Sequence, residues 1–314
     1  MDKQKPVFSI VIPHKNNVEG LERLFLSIPE TRSYQIIVVD DGSNEENMER
    51  LKKLISSVSP TRTIELYENL GSAKGAGAAR NTGLKHVRGE WLLFADSDDY
   101  FTKEFEEHIL SYIDTDADQI MFTPTSLDVA TGELSDRHVF FQELIQQYLD
   151  NPSQEALDQL IVHNVTVWSK LYRVSMIIEN QITFDEVFVS NDVMFSVKAS
   201  VASSKILVTD KVIYTVTRNS NSLTTNTSVT TFWTRYTVFK ERYKFLQKAY
   251  GQEFNRLNLD FFVLIRVILS NKYGVKVLLQ FLFDVKKEGM KWGLKKIVRL
   301  SNFKKLNFKT KYKF

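Results

Sequence analysis

Residues 36–43 read Ile-Ile-Val-Val-Asp-Asp-Gly-Ser, four β-branched residues running straight into two carboxylates and a turn. A run so short and so rich in Val and Ile has the pattern of a strand buried on both faces. Working outward, Phe8 to Ile12 is a second such run, and between the two Leu21, Leu24, Phe25 and Ile28 fall at i, i+3, i+4 and i+7, one face of a helix. Strand, helix, strand is the unit of a parallel sheet. The turn Asp40-Asp41-Gly42-Ser43 leads into a helix carrying Met48, Leu51, Ile55 and Val58, and Ser43 with Glu46 has capping-box spacing. Thr63 to Tyr67, Trp91 to Ala95 and Gln119 to Thr123 read as further strands, and a glycine-rich loop, Gly71 to Gly77, opens a helix through Arg80 to His86. The expected fold class is α/β: a Rossmann-like, mostly parallel sheet with helices on both faces. Right-handed crossovers bring the loops after these strands to one edge, where ligands bind.

From Leu127 to Asn226 the pattern loosens into short pieces, including Trp168 to Tyr172 and two strands, Lys205 to Val208 and Val212 to Val216; beyond Val229 it is mainly helical. A boundary near residue 225 is expected, giving an α/β domain over 1–225 and a helical, basic region over 226–314. At 43% hydrophobic and 25% charged residues the chain is globular, not disordered. The absence of cysteine removes disulfides, thiolate metal sites, iron–sulfur clusters and cysteine nucleophiles together. The apolar run before Pro13 is too short for a signal-peptide core, so no export is expected and a cytosolic setting is compatible.

Charge is unevenly placed. Residues 272–314 hold thirteen Lys or Arg and two acids, +11, which leaves −8 on residues 1–271. Phe261 to Leu269 and Val277 to Val285 are apolar but too short to span a bilayer. From Val275 to Leu300 apolar residues recur at near-helical spacing, with Lys286, Lys287, Lys291, Lys295 and Lys296 between them. That pattern suits either a helix packed on the body with a solvated lysine face or an in-plane helix on an anionic membrane surface. No nucleic-acid partner is expected, since the acidic body opposes it and no nucleic-acid module is present.

Asp96-Ser-Asp98-Asp99 follows an apolar strand, so its carboxylates emerge together at the sheet edge. Such packing needs a cation or hydrogen-bond donors. Oxygen ligands alone suit Mg²⁺ or Mn²⁺, with phosphates and water completing the shell; the other reading is a solvated turn or helix cap. Asp40 or Asp41 can accept the N3–H of uracil, a group cytosine lacks, or can cap the turn. In the run Gly71 to Asn81, small residues let a ligand approach the backbone and Lys74 and Arg80 could meet a diphosphate, or the glycines serve packing alone. Neither GxxxxGK[ST] nor GxGxxG is present. Asp192 precedes an apolar stretch and could equally begin a helix. The five histidines form no HExxH or close pair, Asp114, Asp116 and Asp118 lack the rest of a calcium loop, and no GxSxG elbow occurs.

In order, Ser9-Ile-Val-Ile-Pro13, Val38-Val-Asp-Asp-Gly-Ser43, Ala79-Arg-Asn-Thr-Gly83 and Ala95-Asp-Ser-Asp-Asp99 closely resemble the family 2 glycosyltransferases, nucleotide-sugar enzymes of the GT-A fold. The resemblance covers residues 7–123 and, more weakly, Trp168-Ser-Lys-Leu-Tyr172, Asn191-Asp192 and Arg218-Asn-Ser-Asn-Ser-Leu223. It implies that the loop at Pro13 and the Asp40-Asp41 turn hold the base and that Arg80 lies near base and diphosphate. By the same resemblance Asp96 and Asp98 are the metal-binding pair, with Asp98 the closer ligand. Asp192 is the implied general base, and Arg218 meets the phosphates. Lys15 stands where an aromatic is frequent, the loop from Gly71 to Arg80 is longer than usual, and Asn191 replaces a glutamate.

The expected function is an inverting, metal-dependent glycosyltransferase using a UDP-sugar and acting at the inner face of the cell membrane. Its acceptor would be a saccharide or lipid-linked saccharide in bacterial capsule, lipopolysaccharide or other surface-polysaccharide synthesis. The alternatives are a non-catalytic nucleotide-sugar-binding subunit of a membrane-bound assembly complex and a nucleotidyltransferase, which would release pyrophosphate instead of UDP.

Overall fold

The computed structural model of the chain describes residues 6–31, 33–58, 62–218, 227–259 and 261–290. Two compact units, Met1–Ser220 and Asn221–Phe314, make up the chain.

The first unit begins with β1 (Phe8–His14), α1 (Val18–Ser27), β2 (Tyr34–Asp40), α2 (Glu45–Ser57), β3 (Thr63–Glu68), α3 (Ala76–Leu84) and β4 (Trp91–Phe94). β1 pairs in parallel with β2 and with β4, and β2 with β3. Alternation fixes both faces of this half-sheet. Phe8, Ile10, Ile12, Ile36, Val38, Trp91 and Leu93 face a core closed by α1 and α2, while Val11, Ile37, Val39, Leu92 and Phe94 face a second core containing Ala79 of α3. Burial on both sides is why these strands read as unbroken apolar runs.

The remaining elements are β5 (Tyr100–Phe101), α4 (Phe105–Leu110), β6 (Gln119–Asp128), α5 (Val139–Asp150), α6 (Gln154–His163), β7 (Lys170–Arg173), α7 (Val174–Glu179), α8 (Val193–Ala202) and β8 (Ile206–Arg218). The full strand order is β3-β2-β1-β4-β7-β6-β8-β5. β7 is antiparallel to both β4 and β6, and β5 is antiparallel to β8, so the other six strands share one direction. The mostly parallel α/β sheet is therefore present, with two reversed strands within it.

Two local expectations are corrected. Ser43 does not cap α2; Asn44 does, accepting from Asn47 N at 2.9 Å, while the Ser43 hydroxyl turns to Asp40. The strands expected at 205–208 and 212–216 are one strand, β8, whose pairing jumps from Phe122↔Thr209 to Thr123↔Val212. The polar Asp210-Lys211 reads as a turn but is the extra length of a bulge, next to Pro124, which has no N–H to offer a ladder.

The second unit contains α9 (Val229–Tyr250), a 3-10 helix (Gly251–Leu257), α10 (Phe262–Ser270) and α11 (Val275–Lys287). Asp284 of α11 accepts from Tyr236 Oη at 2.7 Å and Lys240 Nζ at 3.0 Å, tying α11 to α9 beside the Tyr236–Phe281 ring contact. The sequence pattern continued this amphipathic helix to Leu300; residues 291–314 lie outside the described residues, as does the expected boundary near 225. No helix among the described residues is long and apolar enough to cross a membrane.

Candidate active site

The parallel register of β1 and β2 sets His14 beside Asp40 at the carboxyl ends of both strands. His14 Nδ1 lies 3.1 Å from Asp40 Oδ1, and Asn17 N donates to His14 Nε2 at 3.3 Å, which assigns the ring proton to Nδ1. Asp40 also accepts from Gly42 N, Ser43 N and the Ser43 hydroxyl. Burial acts to raise its pKa, but these donors outweigh it and hold the carboxyl at about 2. Asp40 is thus a permanently ionised turn residue with its oxygens engaged. Pro13 sits inside β1, paired with Val39 and buried, rather than in a loop.

Asp41 is engaged differently. It accepts from Asn69 Nδ2 at 2.7 Å and from Gly75 N at 2.6 Å, and so pins the glycine-rich loop to the end of β2. Lys74 Nζ donates to Asn69 O at 2.5 Å. Together Asp40, Ser43, Glu68, Asn69, Leu70 and Lys74 line a cleft of about 370 Å³ at this edge. Gly77, in the first turn of α3, has no room for a side chain: a Cβ there would lie 2.2 Å from Asp185 O and 2.9 Å from Asn191 Cβ.

That close approach brings the loop before α8 onto α3. The buried Arg80 donates through Nη1 to Asn191 Oδ1 at 2.9 Å and through Nη2 to Asp96, with its guanidinium 5.3 Å from the Phe184 ring centroid. Asp192 is the N-terminal boundary residue of α8, yet its carboxylate does not cap the helix. Burial raises its pKa, the charge of Arg80 opposing. Asp98 is raised by burial and then by the Asp96 charge, and its carbonyl accepts from Arg23 and from Thr217 Oγ1. Asp99 is buried, accepts from Thr217 N at 2.7 Å, and is raised well above the carboxylate range by burial and by Asp98 and Asp96. Arg218, one residue further along β8, pairs with Asp136 at 3.4 Å.

Crowded carboxylates whose charge is disfavoured are a donor set that fits a hard divalent cation. Among the described residues no group of three His, Cys, Asp or Glu converges on one point. Asp98, whose charge burial disfavours, and Asp96 beside it are the oxygen donors here that could hold such a cation.

Two side chains escaped sequence reasoning. Lys170 of β7 is buried, donates to Asn164 O at 2.5 Å and Ser196 Oγ at 2.8 Å, and has its pKa pushed down to about 7 by burial, the Asp192 charge opposing. The sequence marked the segment Trp168-Ser-Lys-Leu-Tyr172 around it but gave the lysine no role. Arg137 donates to Thr217 O, and its charge acts on Asp98 and Asp99. No motif marked it.

Residues 9–180 match the family model described as Glycosyl transferase family 2. The chain is 27% identical over 218 residues to the poly(ribitol-phosphate) beta-N-acetylglucosaminyltransferase TarS of Staphylococcus aureus, covering 67% of this chain and 35% of TarS. It is 30% identical over 206 residues to a poly(ribitol-phosphate) beta-glucosyltransferase of Bacillus spizizenii, covering 64% and 30%. The chain thus spans about a third of the length of these curated relatives. The crystal structure of S. aureus TarS 1-349 in complex with UDP-GlcNAc superposes with a TM-score of 0.61 at 21% identity, covering 84% of this chain and 72% of that one. A mannosyltransferase from Pyrobaculum calidifontis in complex with GDP-Man and Mn²⁺ gives 0.56 at 12% identity, covering 98% and 83%. The fold is that of these GT-A proteins.

Proposed function

The chain belongs to glycosyl transferase family 2, and on that footing we propose that it is an inverting glycosyltransferase moving a sugar from a UDP-sugar to a hydroxyl of a saccharide or lipid-linked acceptor. The observation that carries this is the bridge made by Arg80: one buried cation joins Asp96 to Asn191, the neighbour of Asp192, so one aspartate of the acidic pair and the loop bearing the candidate base are held by the same side chain. The choice of UDP is supported by the TarS complex with UDP-GlcNAc, and a polymer of the bacterial cell envelope as acceptor by the names of the relatives.

In this reading Asp41 and Asn69 hold the loop that borders the nucleotide cleft, Asp40 and Lys74 line it, and Pro13 supports that edge from within β1. Arg80 offers fixed positive charge to the diphosphate as it leaves, in a site where nothing must reorganise. Asp96 and Asp98 would hold the divalent ion, which supplies Lewis-acid stabilisation of the departing diphosphate. Arg218 would meet the phosphates from β8. Asp192 takes the proton of the acceptor hydroxyl as that oxygen attacks the anomeric carbon from the face opposite UDP. A single displacement inverts the configuration. The basic region 226–314 would keep the enzyme on the anionic inner face of the cell membrane, near a lipid-linked acceptor.

Thermal-shift titration with UDP, GDP and CDP, each with and without Mn²⁺, tests the nucleotide and metal assignments. Metal-dependent stabilisation by UDP alone is expected. Product analysis with a UDP-sugar panel then separates the reactions: UDP release with glycosylated acceptor supports transfer, pyrophosphate release from a nucleoside triphosphate overturns it, and binding without turnover points to an assembly subunit.

A further inference from the structure

The outward face of α11 combines three features. Val275 and Phe283 are each 70% exposed and Leu279 is 60% exposed, an apolar stripe at i, i+4 and i+8. Lys276, Lys286 and Lys287 are exposed among them. The two acids of this segment are turned away: Asp284 is held by Tyr236 and Lys240, and Glu288 by Lys240 and Lys244, all on α9. Phe281 and Val285, on the opposite side, are fully buried. Helix α11 is therefore sorted around its axis, with its negative charge neutralised within the unit and only lysines beside the exposed apolar stripe.

We propose that this face of α11 inserts its Val275-Leu279-Phe283 stripe into an anionic lipid bilayer, in the plane of the interface. The stripe runs about 12 Å along the helix. An interfacial helix of this kind sinks apolar side chains to the boundary of the acyl chains while lysines reach up to lipid phosphates. Charge argues against the other occupants. A second copy would bring lysines against lysines across a two-fold axis. The chain's own residues 291–314 carry nine basic and no acidic residues and would be repelled by the same lysines. The proposal refines the membrane role given above to the C-terminal region and is independent of the transferase reading.

The chain has no cysteine, so Phe283→Cys in the full chain gives one attachment point for an environment-sensitive dye. With vesicles of phosphatidylcholine and phosphatidylglycerol, 3:1, the dye is expected to brighten several-fold and shift to the blue. It should stay unchanged with pure phosphatidylcholine or when attached at Glu49→Cys on α2. Co-sedimentation of the unlabelled Leu279→Ser/Phe283→Ser chain is expected to weaken about tenfold at both low and high salt. Co-sedimentation with a silent dye would mean that charge alone holds the protein and would overturn the assignment to α11. Absence of co-sedimentation would overturn the membrane reading itself, and a dye response to protein concentration without lipid would identify a second copy as the occupant instead.

Discussion

Arg80 Nη1 donates to Asn191 Oδ1 at 2.9 Å across 111 residues of chain, while Nη2 of the same guanidinium holds Asp96. Two loops far apart in the sequence, at Asp96 and at Asn191, are thus referenced to one buried cation. Arg80→Ala is expected to lower kcat/KM by about a hundredfold or more, because the fixed charge facing the leaving diphosphate is gone. Arg80→Lys should restore little of it, since an ammonium cannot bridge the two acceptors with a fork. Steady-state kinetics on variants checked by circular dichroism would measure both, and near-wild-type activity of Arg80→Ala would remove the cation from the mechanism.

Asp192→Asn keeps the shape of the loop and removes the basic oxygen. A fall in kcat of about a thousandfold is expected with donor affinity within a few-fold of the wild type, as for loss of a general base. Burial raises the Asp192 pKa, so the carboxyl protonates at higher pH than an ordinary aspartate. Since the base acts only when ionised, kcat/KM should fall as pH drops through that raised value, and the acid limb should be lost in the variant. An acid limb that persists unchanged in Asp192→Asn would assign the titration to another group.

Gly77 lets the loop before α8 sit on α3 with Asp185 O only 2.2 Å from where a Cβ would be. Since the obstacle is backbone, Gly77→Ala must push the loop outward. A loss of about 1–3 kcal/mol in denaturant unfolding is expected, together with a drop in activity that a distant core lesion of equal cost does not produce. Paired stability and rate measurements on Gly77→Ala and a Leu160→Val control would distinguish the two.

Lys170 carries a folded-state pKa of about 7 against an ordinary value of 10.5. Between those pH values the unfolded chain binds a proton that the folded chain does not, so stability should climb with pH across that window and be flat below it. The slope would be at most about 1.4 kcal/mol per pH unit. Lys170→Met deletes the titration, at the cost of the hydrogen bonds to Asn164 O and Ser196 Oγ. Urea midpoints at pH 7 and 9.5 are expected to rise for the wild type and stay level for the variant. A parallel rise in both would place the titrating group elsewhere.

How much could be read from the residues follows from where they are buried. The strands β1, β2 and β4 and their terminal carboxylates were legible because burial on both faces writes an unbroken apolar run ended by a turn. The reversed direction of β7 and β5 was not, because direction depends on which neighbour a strand finds and leaves no local pattern. The bulge of β8 hid behind Asp210-Lys211, where polarity imitated a turn. At the site, the family resemblance carried Arg80, Asp96, Asp98 and Asp192, but it could not separate Asp40, whose oxygens serve its own turn, from Asp41, which clamps the loop at Gly75. Lys170 lay inside the weakly matching Trp168-Ser-Lys-Leu-Tyr172, but its role was not legible, since its partners Asn164 and Ser196 come from two other elements.

The position of β7 has a consequence for biosynthesis. Strands β3, β2, β1 and β4 lie side by side and are all synthesised by Phe94, but the free edge of β4 finds its partner only when Lys170–Arg173 has emerged. Until then a nascent chain exposes an apolar edge strand to its neighbours on the polysome, the situation in which edge-to-edge aggregation competes with folding. Chains truncated between Phe94 and Lys170 are therefore the ones to expect in inclusion bodies, and covering that edge still leaves β6 open on its far side until Ile206–Arg218 of β8 has emerged.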